Sequence, residues 1–211
     1  MARLDAAFEG GVKRVIMNVR SLDLWWSSIM AYGVGRGHHV PDAACMNGYA
    51  TSARTWRDVI TDLACALPKA EIQILPFEQF AGRPDKMLAV AIGRDAPSSH
   101  AECWLNRSPD MAALRNRIAQ NGGSASDLPP HLATGEGRWN PFNDSQAAYL
   151  REAYADDMMW LTAGADGLAT LTEDPSRTRT GLSLSAGALT KGQSYDQQTN
   201  PSVQRRLAQA R

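Results

Sequence analysis

The chain has 211 residues, enough for one globular body with appendages, and its 22 lysines and arginines balance 22 aspartates and glutamates. Zero net charge leaves no overall field to draw nucleic acid or an anionic membrane, so any anion site must be local. The hydrophobic fraction of 44% suits a soluble domain, no apolar run approaches the roughly 18 residues of a membrane span, and MARLDAAFEGG lacks the apolar core of a secretory signal, so a cytoplasmic location is expected.

Val12 to Val19 is a short run bounded by Gly10-Gly11 and Arg20, with Val, Ile and Met gathered at its end; this predicts a strand buried on both faces. Leu22 to Tyr32 follows at once and places Trp25, Ile29 and Tyr32 at helical spacing before the glycines of Gly33-Val34-Gly35-Arg36-Gly37 stop it. His38, His39 and Cys45 form the single local cluster of metal-ligating types, without a paired spacing, and read as a solvated loop rather than a metal site. A second helix is expected from near Ser52, carrying Trp56, Val59, Ile60, Leu63 and Leu67 on one face until Pro68 ends it.

Glu71 to Phe77 predicts the next strand, and Arg83-Pro84 opens a helix that runs to Ile92 and closes at Gly93. Strands alternating with helices in this way indicate an α/β unit with parallel strands. Ser108-Pro109 reads as the N-cap and first residue of a helix carrying Met111, Leu114 and Ile118, closed by Asn121-Gly122-Gly123. A loop is expected from Gly122 to Thr134. Asn143 and Gln146 have the form of a capping box, after which Ala147, Leu150, Tyr154, Met158 and Leu161 recur on one face up to Gly164.

From 172 to 211 large apolar residues are few, and the composition predicts a disordered polar tail behind a folded body of 1–171. Its GALTKGQS segment lacks the order of a phosphate loop. Cys45, Cys65 and Cys103 are odd in number and widely spaced, as expected of reduced, packed thiols rather than a disulfide framework.

An arginine leaving a parallel strand stands at the carboxyl edge of the sheet, where open α/β sheets bind their ligands and where the next helix directs its N-terminal amides. Arg20, Ser28 and that helix terminus could together hold a phosphate. The structural alternative pairs Arg20 with a neighbouring carboxylate such as Asp23 and caps the helix with Ser21. VKRVIMNVRSLDLWWSS resembles the 3′-phosphate-binding segment of sulfotransferases, in which a strand ends in arginine and a serine follows eight positions later, the spacing of Arg20 and Ser28; Leu22 stands where that family commonly has proline. LPFEQFAGRPDKML is similar to the family's strand-then-helix unit, with Glu78 in a structural role or as a solvated strand-end acid. GEGRWNPFNDSQAAYLREAYADDM resembles the late segment whose nucleotide-contacting loop leads into the C-terminal helix, matching at Gly137, Arg138 and Trp139.

The resemblance implies a partial P-loop-like three-layer α/β fold, with a short parallel sheet flanked by helices, and 3′-phosphoadenosine 5′-phosphosulfate as sulfuryl donor to a hydroxyl or amine of a small molecule or glycan. It implies cofactor contacts at Arg20, Ser28, Gly137, Arg138 and Trp139, with Arg138 supplying charge and Trp139 a flat apolar anchor. Nineteen residues precede Arg20, too few for the family's N-terminal strand, phosphate loop and base, so the chain is expected to correspond to the C-terminal portion of such a fold and to be inactive alone. Leu132-Ala133 stand near where many members carry a basic pair, and no catalytic base can be assigned, because His38, His39 and His131 fall in expected loops. The alternative from another class is a non-catalytic α/β module that binds a nucleotide or a protein.

Overall fold

A computed structural model describes residues 2–52, 54–99, 101, 108–123 and 130–174. The elements in order are α1 (Ala2–Ala7), β1 (Arg14–Val19), α2 (Leu22–Val34), α3 (Ala43–Ala50), α4 (Trp56–Ala66), β2 (Glu71–Pro76), α5 (Phe77–Phe80), α6 (Pro84–Ile92), α7 (Met111–Gln120), α8 (Pro130–Thr134), α9 (Asp144–Thr162) and β3 (Thr170–Leu171). Backbone contacts divide the chain into Met1–Glu173 and Asp174–Arg211, and Asp174 is the one described residue of the second unit. The tail expected over 172–211 therefore lies almost wholly outside the described residues, as does Cys103.

The three strands form one parallel sheet in the order β1-β2-β3, with Arg14 opposite Glu71 and Val19 opposite Pro76. This is the α/β architecture that the alternation of strands and helices predicts. Side chains alternate across a strand, so Val15, Met17 and Val19 share a face with Ile72 and Ile74, and these five join the main core. The opposite face carries Arg14, Ile16 and Asn18. There the Arg14 guanidinium donates to the carbonyl of Ala91 at 3.1 Å, and Asn18 Nδ2 lies 3.5 Å from Met87 Sδ, which seats α6 against the sheet. Burial on both faces holds for β2 better than for β1: Val19 is the one fully buried residue of β1, whereas Ile72, Ile74, Leu75 and Pro76 are all buried.

The main core centres on α9, which packs against α2, α3 and α4. Asn143 accepts from the Gln146 amide at 2.9 Å while Gln146 accepts from the Asn143 amide at 3.1 Å, the reciprocal cap expected from the sequence. Leu150, Tyr154 and Leu161 face inward as predicted, and burying an apolar side chain of that size stabilises the fold by about 1.5–3 kcal/mol.

Several local expectations are corrected. In α2 the buried face is Leu22, Asp23, Ser27, Met30, Ala31 and Val34, while Ile29 and Tyr32 are exposed, because small and polar residues make the close contacts of this helix. The segment after His39 is not all loop: Asp42 caps α3 by accepting from the Cys45 amide, although His38, His39 and Cys45 are themselves exposed. The helix expected from near Ser52 begins at Trp56 behind Thr55, and Leu67 is its C-cap. Asp110, not Ser108, caps α7, because its carboxylate accepts from the Ala113 amide at 2.7 Å. Within the stretch expected as loop, 130–134 form α8, whose backbone includes His131 and whose last turn is held by Arg115 through the carbonyls of Leu132 and Gly135. Cys45 and Cys65 are free but exposed rather than packed.

Candidate functional site at the carboxyl edge of the sheet

Arg20 follows β1 directly, and Phe77 and Glu78 follow β2 directly; in a parallel pair both exits lie on one edge. Three groups fix Arg20. The indole N–H of Trp56 donates to its carbonyl at 2.7 Å, its guanidinium lies over the Phe77 ring 4.6 Å from the centroid, and its Nε stands 4.0 Å from Glu78 Oε1. Four ångströms is an ion-pair distance and too long for a hydrogen bond. Nε is accordingly buried with no hydrogen-bond partner among the described residues. Burial first, and then the nearby Arg138 charge, lower the Arg20 pKa from its ordinary value, although no accessible pH would discharge it.

Arg20 does have a neighbouring carboxylate, as the structural alternative supposes, but it is Glu78 rather than Asp23. Asp23 is buried and accepts instead from Arg151 Nε at 2.8 Å and from the Ser21 hydroxyl. Ser21 occupies the N-cap position of α2, but its hydroxyl serves Asp23 and makes no capping bond. The carboxylate near Arg20, Glu78, is a strand-end acid that is half-buried. Burial pushes its pKa up, and its own amide, the Arg20 charge, the Tyr154 hydroxyl and the Ser21 backbone offset part of that rise. Tyr154 reaches in from α9 and donates to Glu78 Oε2 over a long 3.4 Å. Burial and the Glu78 charge raise the Tyr154 pKa so far that it remains a neutral phenol.

Ser28 is half-buried in the second turn of α2, with its Oγ 2.5 Å from Ser108 Oγ. Together with exposed Ile29 and Tyr32 these serines line a surface pocket. Two residues beyond Ser108, Asp110 forms an antiparallel bridge with Arg138, and the Met111 amide donates to the Gly137 carbonyl at 2.7 Å. Residues 108–111 thus tie Ser28 to the Gly137-Arg138 segment, while the effect of Arg138 on Arg20 puts the two guanidinium groups within electrostatic reach.

Gly137 is exposed at φ +73°, with open space where a Cβ would stand, so glycine serves the turn itself rather than a close packing contact. Arg138 is exposed. Trp139, expected as a flat apolar anchor, is 3% exposed and belongs to the core, its indole N–H buried without a partner among the described residues. Sequence reasoning also missed Phe77 beneath Arg20 and treated Tyr154 as a purely apolar contact. Among the described residues, no group of three or more His, Cys, Asp or Glu side chains is placed to hold a metal, and no helix is long and apolar enough to cross a membrane.

Two guanidinium groups within electrostatic reach of each other, one of them at the exit of a strand, suit a compact oxyanion: an anion between them would relieve their mutual repulsion. Scans against protein-family models, curated proteins and solved structures found no match to the chain.

Proposed function

We propose that this chain is a sulfotransferase-like α/β unit that binds the 3′-phosphate end of 3′-phosphoadenosine 5′-phosphosulfate at Arg20, Ser28 and Arg138. The observation that carries the reading is that Arg20, at the exit of β1, lies within electrostatic reach of Arg138, with Ser28 tied to the Arg138 segment through Ser108 and Asp110. Gly137 shapes the turn that presents Arg138, and Trp139 anchors that turn in the core. In the full reaction the acceptor oxygen or nitrogen bonds to sulfur as the sulfur–oxygen bond to the 5′-phosphate breaks. Adenosine 3′,5′-bisphosphate then leaves, and the acceptor gives up a proton to a base that is not assigned in this chain. The acceptor class is a small molecule or glycan, the setting is the cytoplasm, and no nucleic acid or membrane partner is implied.

A sequence without a glycine-rich phosphate loop gives the 5′ end of the donor no cradle, so the chain alone should bind the bisphosphate weakly and transfer no sulfate. A second reading, a non-catalytic nucleotide- or protein-binding module, is favoured by the pairing of Arg20 with Glu78 and by the burial of Trp139.

Calorimetry with adenosine 3′,5′-bisphosphate tests the site. A hydrogen bond to a charged group contributes about 1.5–3 kcal/mol, so Arg20→Ala should weaken binding by about ten- to a hundredfold, and Ser28→Ala by less. Equal affinities for wild type and Arg20→Ala would refute the site. Sulfate transfer by the chain alone would refute the account of what it lacks.

A further inference from the structure

Glu78 is a half-buried carboxylate placed against the proposed anion site, with its Oε1 turned inward toward Arg20. The two charges stand 4.0 Å apart, and the Nε proton of Arg20 is left without an acceptor among the described residues. On the far side of the carboxylate, Tyr154 donates over a long 3.4 Å, and the Glu78 amide and the Ser21 backbone hold the ionised form in part against its burial. Resting on the anion-site reading above, we propose that Glu78 is a positioning residue that makes oxyanion binding at Arg20 proton-coupled: as a doubly charged tetrahedral oxyanion binds, the Glu78 carboxylate takes up one proton from solvent.

The reasoning is reciprocal. An anion on the Arg20 fork brings negative charge close to Glu78, in a setting where burial already disfavours the ionised form. Anything that raises the affinity of Glu78 for a proton must, by linkage, be favoured when that proton is present. The neutral carboxyl keeps an oxygen for the Tyr154 hydroxyl and frees the guanidinium for the ligand.

Other charged groups around the site are accounted for. From α2, Asp23 is held by Arg151 and Ser21. From α9, Tyr154 stays neutral, and Asp157 accepts from Thr55, Trp56 and Arg57. Arg138 and Arg20 remain cationic. Glu78 is the member that opposes the anion directly, because its charge lies against the same guanidinium.

Inorganic sulfate is the probe, since it stays a dianion throughout, whereas a phosphate monoester titrates near about pH 6. Calorimetric titration of the full chain in two buffers of different ionisation enthalpy, at about pH 6, reads proton uptake directly. Wild type should take up a substantial fraction of a proton, and Glu78→Gln none. At about pH 8 Glu78→Gln should bind sulfate about tenfold more tightly than wild type, and the two should converge as the pH falls towards about 5.

Sulfate binding that Arg20→Ala abolishes, with no proton uptake by wild type, would overturn the coupling and leave the anion site standing. Sulfate binding that Arg20→Ala leaves unchanged would overturn both. Uptake that persists in Glu78→Gln would assign the proton to another carboxylate and overturn the role of Glu78. If Glu78→Gln does not fold, Glu78→Ala takes its place in the same titration, and an absence of uptake by wild type overturns the coupling without any variant.

Discussion

Replacing Asp157 by alanine should be among the most damaging single changes in the described fold. Asp157 lies on α9 and is buried, yet its partners are at the start of α4, about a hundred residues earlier in the chain. Oδ1 accepts from the Thr55 hydroxyl at 2.8 Å and from the Arg57 amide at 3.2 Å, and Oδ2 accepts from the Trp56 amide at 2.8 Å. Two of those donors are first-turn amides that no carbonyl within α4 can reach, so a residue of another helix caps α4. The carboxylate also meets the positive end of the helix. Water can reach the exposed Arg57 after truncation, but the buried Trp56 amide is left unpaired at about 1–3 kcal/mol, to which losing the cap adds about 1 kcal/mol. Asp157→Ala should therefore lower the unfolding free energy by about 2–4 kcal/mol, and Asp157→Asn, which keeps one acceptor oxygen, by about half as much. Urea unfolding followed by tryptophan fluorescence reads this, because Trp56 sits at the break. Its neighbour Asp156 is exposed, so Asp156→Ala should stay within about 0.5 kcal/mol of wild type. A loss below about 1 kcal/mol for Asp157→Ala would refute the reasoning and show that α4 finds its cap elsewhere.

Three further outcomes are expected. Asn143→Ala removes half of the reciprocal cap on α9 and should lower stability by about 1 kcal/mol in the same urea experiment, whereas Asn143→Ser should be close to neutral. The native pKa of Glu78 is raised above its unfolded value, so its contribution to stability is fully present below about pH 4.3 and fades as the pH rises through the native pKa; Glu78→Gln should flatten that part of the stability profile, and an unchanged slope would mean that another group titrates there. Leu114 is fully buried in α7, so Leu114→Ala should lower the urea midpoint by an amount equivalent to about 2–5 kcal/mol, while Ala112, exposed on the same helix, should tolerate serine.

What the sequence disclosed follows the range of the interactions involved. The cap of α9 sits within four residues and most of its apolar period is buried, so its limits and Ala147, Leu150, Tyr154 and Leu161 of its face were legible, while Asp157 takes the buried place expected of the half-buried Met158. β1 and β2 were legible because each is a β-branched run bounded by breakers, and their parallel pairing followed from the helices between them. The face of α2 was misread because periodicity weighs Ile29 and Tyr32 above Asp23 and Ser27. Asp23 is buried through Arg151, far along the chain, and no local pattern announces that partner. α3 escaped because AACMNGYA is short and only weakly amphipathic, with a glycine near its end. At the candidate site, the position of Arg20 at the strand exit was readable. Its real neighbours Phe77, Glu78 and Tyr154 were not, since only folding sets β2 and α9 beside it. Trp139 shows the same limit: a tryptophan after Gly-Arg fits a ligand platform and a core plug equally well until burial is known.

The two faces of the sheet are covered unequally, and this gives the molecule a grain. On one side α9 and its neighbours bury a continuous apolar core; on the other, α6 contributes no fully buried residue and leaves Leu88 and Ile92 exposed. What holds α6 is largely peripheral, including the Arg14 guanidinium on its last carbonyls and the contact between Asn18 and Met87. Leu75 lies on the Asn18 face and is fully buried, as is Phe80 at the end of α5, so this second layer has an apolar seat of its own beside the main core. The carboxyl edge is the seam between the two layers. Arg20 leaves a strand whose apolar face joins the main core, while the chain that carries Phe77 and Glu78 runs on into α5 and α6. A movement of the second layer would therefore reach first the pair of charges on which the proposed anion site depends.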